Sequence, residues 1–280
     1  MSDLHIINLG RLRRRLSRYL APLDESVIVY QALGIRDGLM LDVGAHYGYS
    51  LMPFAERGWT VHAFEPDPAN RAHLVENHGG KGRVTVVPVA VGDETRTMTL
   101  YTSHESTGVS SLVAFTRRHE ATATVDVIRL QDYMIENDLR HVDFLKIDVE
   151  GYEKFVLDGY DWSNEPTAIV LEFEDAKTVP IGYDWRHLAD RLRDGGYTVI
   201  VSEWYPPLRY GVEHRWRCFK RYPCDLVDSR ATGNLIAFKG IGERRIKIAL
   251  LRAQIRNAVR PLARRLRSAA PRSMRRSVLS

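Results

Sequence analysis

The sequence predicts an α/β protein built on an open, doubly wound sheet with mostly parallel strands. Three observations carry that expectation. Apolar runs alternate with helical segments through the middle of the chain, a glycine turn follows the first run, and two late runs follow each other with no helix between them.

Taken in order, the first strand is Leu39–Val43, followed by an expected helix at Tyr49–Glu56. Val61–Phe64 is the second strand and Pro68–Glu76 the helix after it. Strands at Val84–Val91, Val142–Ile147 and Ala168–Phe173 come with helices at Leu130–Glu136 and Tyr152–Leu157. Runs without clean polar alternation are what a parallel sheet covered on both faces requires. A helix at Trp185–Arg193 meets a stop signal at Gly195 and Gly196. Tyr197–Val201 and Asn234–Lys239 then follow as an expected antiparallel pair. Thr97–Tyr101 and Thr124–Arg129 are accessory strands in a long insertion after Val91. Within it, residues 102–123 are short of core residues and rich in Ser, Thr and charge, so they form either a surface loop or a substrate lid. There is no internal repeat.

Composition bounds the rest. The chain has 280 residues, 44% apolar and 27% charged, which excludes a disordered chain, a collagen-like repeat and a disulfide scaffold. No stretch approaches ~18 uninterrupted apolar residues, so no spanning helix is expected. No apolar block with a cleavage site follows the basic N-terminus, so no signal peptide is expected either. Two cysteines, Cys218 and Cys224, suit a reducing cytoplasm and, with His214, show no recognised zinc spacing.

The formal net charge of +5 averages three unlike parts. Residues 1–20 hold five Arg and one Asp; residues 241–280 hold eleven Arg, one Lys and one Glu. The 220 residues between them carry 23 basic and 33 acidic side chains, a net −10. The expected organisation is a basic amphipathic segment over 1–21, a catalytic domain over 22–240 and a basic amphipathic tail over 241–280. An acidic body is the wrong sign for nucleic acid, so no nucleic-acid partner is expected.

The sharpest local feature is Leu41-Asp42-Val43-Gly44-Ala45-His46-Tyr47-Gly48. Gly44 lets the backbone turn under a ligand and Gly48 permits close helix–strand packing. The second strand ends at Phe64-Glu65-Pro66, which places a carboxylate 23 residues after Asp42, where it can accept hydrogen bonds from ribose hydroxyls. The glycine pattern is not the full dinucleotide fingerprint. Asp42 beside the loop favours a ligand bearing an ammonium group over one bearing a diphosphate, a leaning towards S-adenosyl-L-methionine.

A second acidic cluster follows the fourth strand, in Val142-Asp143-Phe144-Leu145-Lys146-Ile147-Asp148-Val149-Glu150-Gly151-Tyr152-Glu153. If the strand runs that far, alternation sends Asp148 and Glu150 to the same side. Two close carboxylates make a base or hold a divalent cation between them. The bland alternative is a helix start enriched in acids.

These blocks, with Ala63-Phe64-Glu65-Pro66, Val87-Pro88-Val89-Ala90-Val91-Gly92-Asp93 and Leu145-Lys146-Ile147-Asp148-Val149-Glu150-Gly151, resemble the FkbM-type S-adenosylmethionine-dependent methyltransferases over about residues 37–175. The resemblance implies a class I methyltransferase (Rossmann-like) fold, a seven-stranded open sheet with the last strand antiparallel. It implies O-methyl transfer to a hydroxyl of a sugar, glycolipid or related natural product. By position, Asp42, Gly44, Ala45, His46 and Gly48 would line the methionine end of the cofactor. Glu65 would hold its ribose and Asp93 the adenine edge. Asp148, Glu150 and Glu172 would face the methyl acceptor, Asp148 and Glu150 also being the residues for any metal. His46, Tyr47 and Gln131 stand where the family commonly has Asn, Ile and Asp.

An alcohol is a poor nucleophile, so Asp148 or Glu150 is expected to take its proton, directly or through a divalent ion. Tyr205-Pro206-Pro207-Leu208 superficially resembles a nucleic-acid amino-methyltransferase motif, but its position makes it a turn. In the tail, Ile248, Leu251, Ile255, Val259, Leu262 and Leu266 form one helical stripe flanked by Arg252, Arg256, Arg260 and Arg264, with Pro261 expected to kink the helix. Leu9, Leu12, Leu16 and Leu20 repeat the pattern near the N-terminus. Such helices suit an anionic membrane surface, or dock on the body or a second subunit. A scaffold protein that retains the cofactor fold, and more weakly an RNA methyltransferase, are the competing functions.

Overall fold

The computed structural model describes residues 23–104, 106–207 and 215–269, the last nine of these as helix backbone only. The N-terminal leucine stripe, Leu208 and His214 lie outside the described residues. Two compact units are present: Glu25–Gly242, and a second unit to which the C-terminal residues from Glu243 belong.

The body opens with α1 (Glu25–Leu33) and then alternates. Strands β1 (Leu39–Val43), β2 (Thr60–Phe64) and β3 (Arg83–Val87) are separated by α2 (Met52–Ala55) and α3 (Pro68–His78). After the insertion come α4 (Leu130–Glu136), β7 (Phe144–Ile147), α5 (Glu153–Asp158), β8 (Ala168–Glu174), α6 (Asp175–Thr178) and α7 (Trp185–Asp194). Strands β9 (Thr198–Trp204), β10 (Trp216–Arg221) and β11 (Thr232–Phe238) close the body.

The main sheet has the order β10-β9-β11-β8-β7-β1-β2-β3. β3, β2, β1, β7 and β8 are mutually parallel, and β11 enters antiparallel between β8 and β9. The predicted α/β class and the antiparallel last strand therefore hold, but among the described residues the sheet has eight strands against the seven expected. The extra strand, β10, pairs antiparallel with β9 at the sheet edge. Its sequence, Trp-Arg-Cys-Phe-Lys-Arg, carries no apolar run, because Arg217 and Lys220 serve the buried Glu203 at 3.1 and 3.2 Å.

The order of the sheet reverses between β1 and β7. In an open α/β sheet a ligand crevice lies at the carboxyl ends of the strands at such a reversal. One face of the strands there is apolar, where Leu41, Val43, Leu145, Ile147, Ile169 and Leu171 belong to one buried cluster; the other face carries Met40 and Phe144 and, towards the carboxyl ends, Asp42 and Lys146.

Two local expectations change. The helix expected at Tyr49–Glu56 is one turn, Met52–Ala55, because Pro53 is tolerated only in a first turn and Gly58 at φ 84° ends the element. The single strand expected over Val84–Val91 is two, β3 and β4 (Ala90–Gly92), interrupted at Pro88 and Val89. β4 leaves the main sheet and joins β5 (Arg96–Ser103) and β6 (His119–Arg129) in a second sheet of order β4-β6-β5.

Helix α8 runs from Glu243 to Ala269, unbroken through Pro261. No helix of the described residues is long and apolar enough to cross a membrane.

Candidate active site

The glycine loop leaves β1 in a tight turn. Gly44, His46 and Gly48 all take positive φ, at 81°, 49° and 82°. Gly44 and Ala45 both donate their N–H to the Phe64 carbonyl at 3.0 Å, which holds the loop against the end of β2. A Cβ on Gly44 would lie 1.8 Å from the Asp148 carbonyl oxygen, so only glycine fits. A non-glycine residue at positive φ, such as His46, marks a place where the surroundings over-determine the backbone.

At the end of β2 the Glu65 carboxylate is buried and fully oriented by backbone. The His46 N–H donates to Oε2 at 2.8 Å and the Asp67 N–H to Oε1 at 2.9 Å. Each oxygen keeps a second lone pair for a ligand donor. Burial pushes the carboxyl up to about 7, against the two N–H donors that favour its charge.

Asp42 is completely buried beneath the loop. Its Oδ2 accepts from the Ser50 hydroxyl at 2.8 Å, while Oδ1 has no hydrogen-bond partner and lies 3.7 Å from the Lys146 ammonium. Lys146 also donates to Asp148 at 3.0 Å. Burial works against the Lys146 charge, but Asp148 and Asp42 outweigh it and hold its pKa above the ordinary value. Burial alone would raise Asp148; Lys146 and Lys177 outweigh it and keep it ionised, below the usual carboxylate range.

β7 ends at Ile147, so strand alternation does not bring Asp148 and Glu150 together; the turn does. Glu150 at φ 58° and Gly151 at φ 101° fold the chain back so that Asp148, Glu150 and Glu172 each place an oxygen within 4.8 Å of the others. Glu153 fixes this turn by accepting from the Val149 and Gly151 N–H groups at 3.2 and 3.0 Å, and the Tyr183 hydroxyl donates to it at 3.2 Å.

Lys177 from α6 enters the same cluster. Its ammonium, 3% exposed, bonds Glu150 and lies 3.3 Å from Glu172 and 2.8 Å from Glu174. Burial, partly offset by Lys177, pushes Glu150 up to about 7; burial and the neighbouring Glu150 raise Glu172 well above its ordinary value. Three carboxylate oxygens are the donor set of a hard divalent cation. Here the Lys177 ammonium offsets part of that charge, and its like charge opposes a divalent ion at the same spot.

One cavity joins the two acidic features. Val43, Gly44, His46, Glu65, Asp148 and Glu150 line one side of it, and Val89, Ala90 and Val91 line the end beyond β3. Residues 107–112 of the insertion form its roof. The Thr107 hydroxyl is 3.1 Å from His46 Nε2 and 3.2 Å from the Tyr47 hydroxyl, and the Thr107 carbonyl accepts from Asn70 at 3.0 Å. The Ser110 hydroxyl donates to Asp67 and the Ser111 hydroxyl to the Glu150 carbonyl, both at 2.8 Å. Phe115 sets its ring 5.4 Å from the Lys177 ammonium. The segment lies against the cavity, at the place a substrate lid would occupy.

Among the expected site residues, Gly44, His46, Glu65, Asp148 and Glu150 meet in the cavity, with Glu172 joined through the carboxylate cluster. Asp42, Ala45 and Gly48 sit behind the loop and shape it; Gly48 packs on His78 and Leu74. Asp93 is outside the cavity lining, turned to Arg96 at 3.3 Å because β4 carries it into the second sheet. The sequence alone gives no direct notice of Lys177 or Glu174. Glu172 and Glu174 stand two apart in β8, as do Lys146 and Asp148 at the end of β7, and that spacing is the available signal.

Residues 42–199 match the Methyltransferase FkbM domain. Over 208 residues the chain is 28% identical to the 31-O-demethyl-FK506 methyltransferase FkbM of Streptomyces tacrolimicus, covering 62% of this chain and 77% of that protein. It is 28% identical over 200 residues to Methyltransferase 1 of Beauveria bassiana, covering 61% and 77%. Among solved structures, the methyltransferase FkbM of Methylobacillus flagellatus is similar at 16% identity and a TM-score of 0.43, over 84% of this chain and 60% of that one. The matched domain takes in the glycine loop, Glu65, the carboxylate cluster and Lys177, which is more than half of the sequence. This chain is a member of the FkbM methyltransferase family.

Proposed function

We propose that this methyltransferase uses S-adenosyl-L-methionine to methylate a hydroxyl of a sugar, glycolipid or related natural product. The observation that carries the proposal is a single cavity with a ribose-type carboxylate, Glu65, and a near-neutral base, Glu150, both in its lining.

The residues present fit the cofactor. Glu65, with its oriented lone pairs, would hold the ribose hydroxyls. The backbone at Gly44 and His46 would line the methionine portion, while Asp42 stays behind the loop with its Oδ1 3.7 Å from the Lys146 ammonium. Bound there, the cofactor supplies a methyl group on a sulfonium. The chain itself has to place the acceptor oxygen ~3 Å from that methyl and take away its proton.

Glu150 is suited to the proton. A base with a pKa near the working pH is ionised in part and still strong enough to accept. Lys177 holds the carboxylate in place and Asp148 stays ionised beside it. Glu150 would take the acceptor hydroxyl's proton as the oxygen displaces the methyl from the sulfonium, which would leave as a neutral thioether. The S. tacrolimicus relative acts on an O-demethyl compound, which supports oxygen as the acceptor atom.

Two substitutions test the assignment. Glu65→Gln is expected to weaken cofactor binding, measured by calorimetry, by about 10–100-fold. Glu150→Gln is expected to leave that binding within a few-fold and to cut methyl transfer, read as a one-methyl mass gain, by roughly 10²–10⁴-fold. At saturating cofactor, activity of the parent should rise with pH through about 7, and Glu150→Gln should lose that rise. Full turnover by Glu150→Gln, or no cofactor binding by the parent, would overturn the reading.

A further inference from the structure

Helix α8 has two unlike apolar faces. Ile246, Ala249 and Ala253 are buried, with exposures of 7% or less. At 100° per residue, the opposite side of the helix carries Ile248, Leu251, Ile255 and Val259. These four stand 37–54% exposed, although all are large aliphatic residues. They are spaced 3, 4 and 4 apart and form one continuous strip along three turns.

The strip is framed by cations. Exposed Arg252 borders one edge and exposed Lys247 the other, and exposed Arg244 stands in line with the strip at its N-terminal end. The helix and the residues after it carry eleven Arg and one Lys against a single Glu, whereas the body over 21–240 is net −10. Exposed aliphatic side chains flanked by guanidinium groups match a surface that is apolar within and anionic at its rim. An apolar partner protein would not use the cations, and a nucleic acid would not use the strip.

We infer that α8 lies on an anionic lipid bilayer, with Ile248, Leu251, Ile255 and Val259 among the acyl chains and the flanking Arg side chains at the phosphates. The helix enters the interface lengthwise and does not span it. This role is independent of the methyl-transfer reading, since no residue of the strip belongs to the cavity.

The test uses the full chain and sedimentation with vesicles. Phosphatidylcholine vesicles containing roughly a third phosphatidylglycerol should pull down the protein, and pure phosphatidylcholine should retain at least about ten-fold less. Leu251→Glu with Ile255→Glu should lower binding to the anionic vesicles about ten-fold or more. Arg244→Gln with Arg252→Gln should weaken it in low salt and lessen its salt dependence. All four positions are exposed, so circular dichroism and cofactor binding should match the parent. No pull-down of the parent, or equal pull-down of the Leu251/Ile255 variant, would overturn the inference. So would a parent that ignores vesicles but self-associates through the strip, seen as a dimer that Leu251→Glu with Ile255→Glu converts to monomer.

Discussion

Gly44 and Gly58 have nearly the same backbone, φ 81° and 84°, and opposite surroundings. A Cβ at Gly58 would meet nothing within 4 Å, while one at Gly44 would strike the Asp148 carbonyl at 1.8 Å. The pair separates backbone strain from steric exclusion. Gly58→Ala should cost about 1 kcal/mol for the left-handed conformation alone. Gly44→Ala should cost about 3 kcal/mol or more, because β1 or the 148–151 turn has to move, and should also weaken cofactor binding. Urea denaturation of both variants checks the difference. Equal losses would mean that the Gly44 turn relaxes freely and does not fix the site. The same residue scale explains what sequence can and cannot reveal. Gly44, Glu65 and Asp148 are legible because their types are tied to strand ends, where the fold forces a turn and aims the next side chain at the crevice. Lys177 is not, because a lone lysine on a one-turn helix has no pattern; its role comes from three carboxylates delivered by other parts of the chain.

Among the elements, the buried parallel strands announce themselves as apolar runs and the polar ones do not. β1, β2, β7 and β8 lie within a residue or two of their expected bounds. β10 is hidden, since an edge strand needs no second apolar face and its cations answer a buried Glu203 far off in sequence. The insertion is similar: its strands are visible as runs, but the destination of residues 106–112 depends on hydrogen bonds to His46, Asn70, Asp67 and Glu150 that no local pattern encodes. Those bonds give the lid its testable content. Thr107→Val with Ser110→Ala removes two hydroxyls while keeping the Thr107 carbonyl. At about 0.5–1.5 kcal/mol per hydrogen bond, cofactor affinity should fall roughly 5–100-fold. Amide hydrogen exchange over 106–112 should quicken in the same variant. Unchanged affinity and exchange would make the segment a plain surface loop that happens to lie over the cavity.

For the whole molecule, the acidic body places its carboxylates where they oppose folding and favour chemistry. Glu65 and Glu150 sit near 7 in the folded protein against an ordinary value of 4.5, chiefly through burial. A raised folded pKa means the native state binds those protons more tightly than the unfolded chain does. The stabilisation is complete below about 4.5 and is lost as pH rises to about 7. Glu172 and Glu153 shift in the same direction. Asp148, held low by Lys146, contributes stability that is lost only under stronger acid, below its ordinary 3.8. The ligand-free protein should therefore be most stable in mild acid and lose on the order of 1–4 kcal/mol towards neutrality. Cofactor binding should run the other way, because Glu65 accepts ribose hydroxyls best when ionised, so affinity rises across the same interval. Thermal unfolding against pH, with and without S-adenosyl-L-methionine, reads both slopes in one experiment. Glu65→Gln with Glu150→Gln should flatten the ligand-free slope, since neither amide titrates, and Glu65→Gln alone should flatten the pH dependence of affinity. A ligand-free protein that gains stability between about pH 5 and 7 would mean that these carboxyls are not held up by burial, and the near-neutral base would be lost with them.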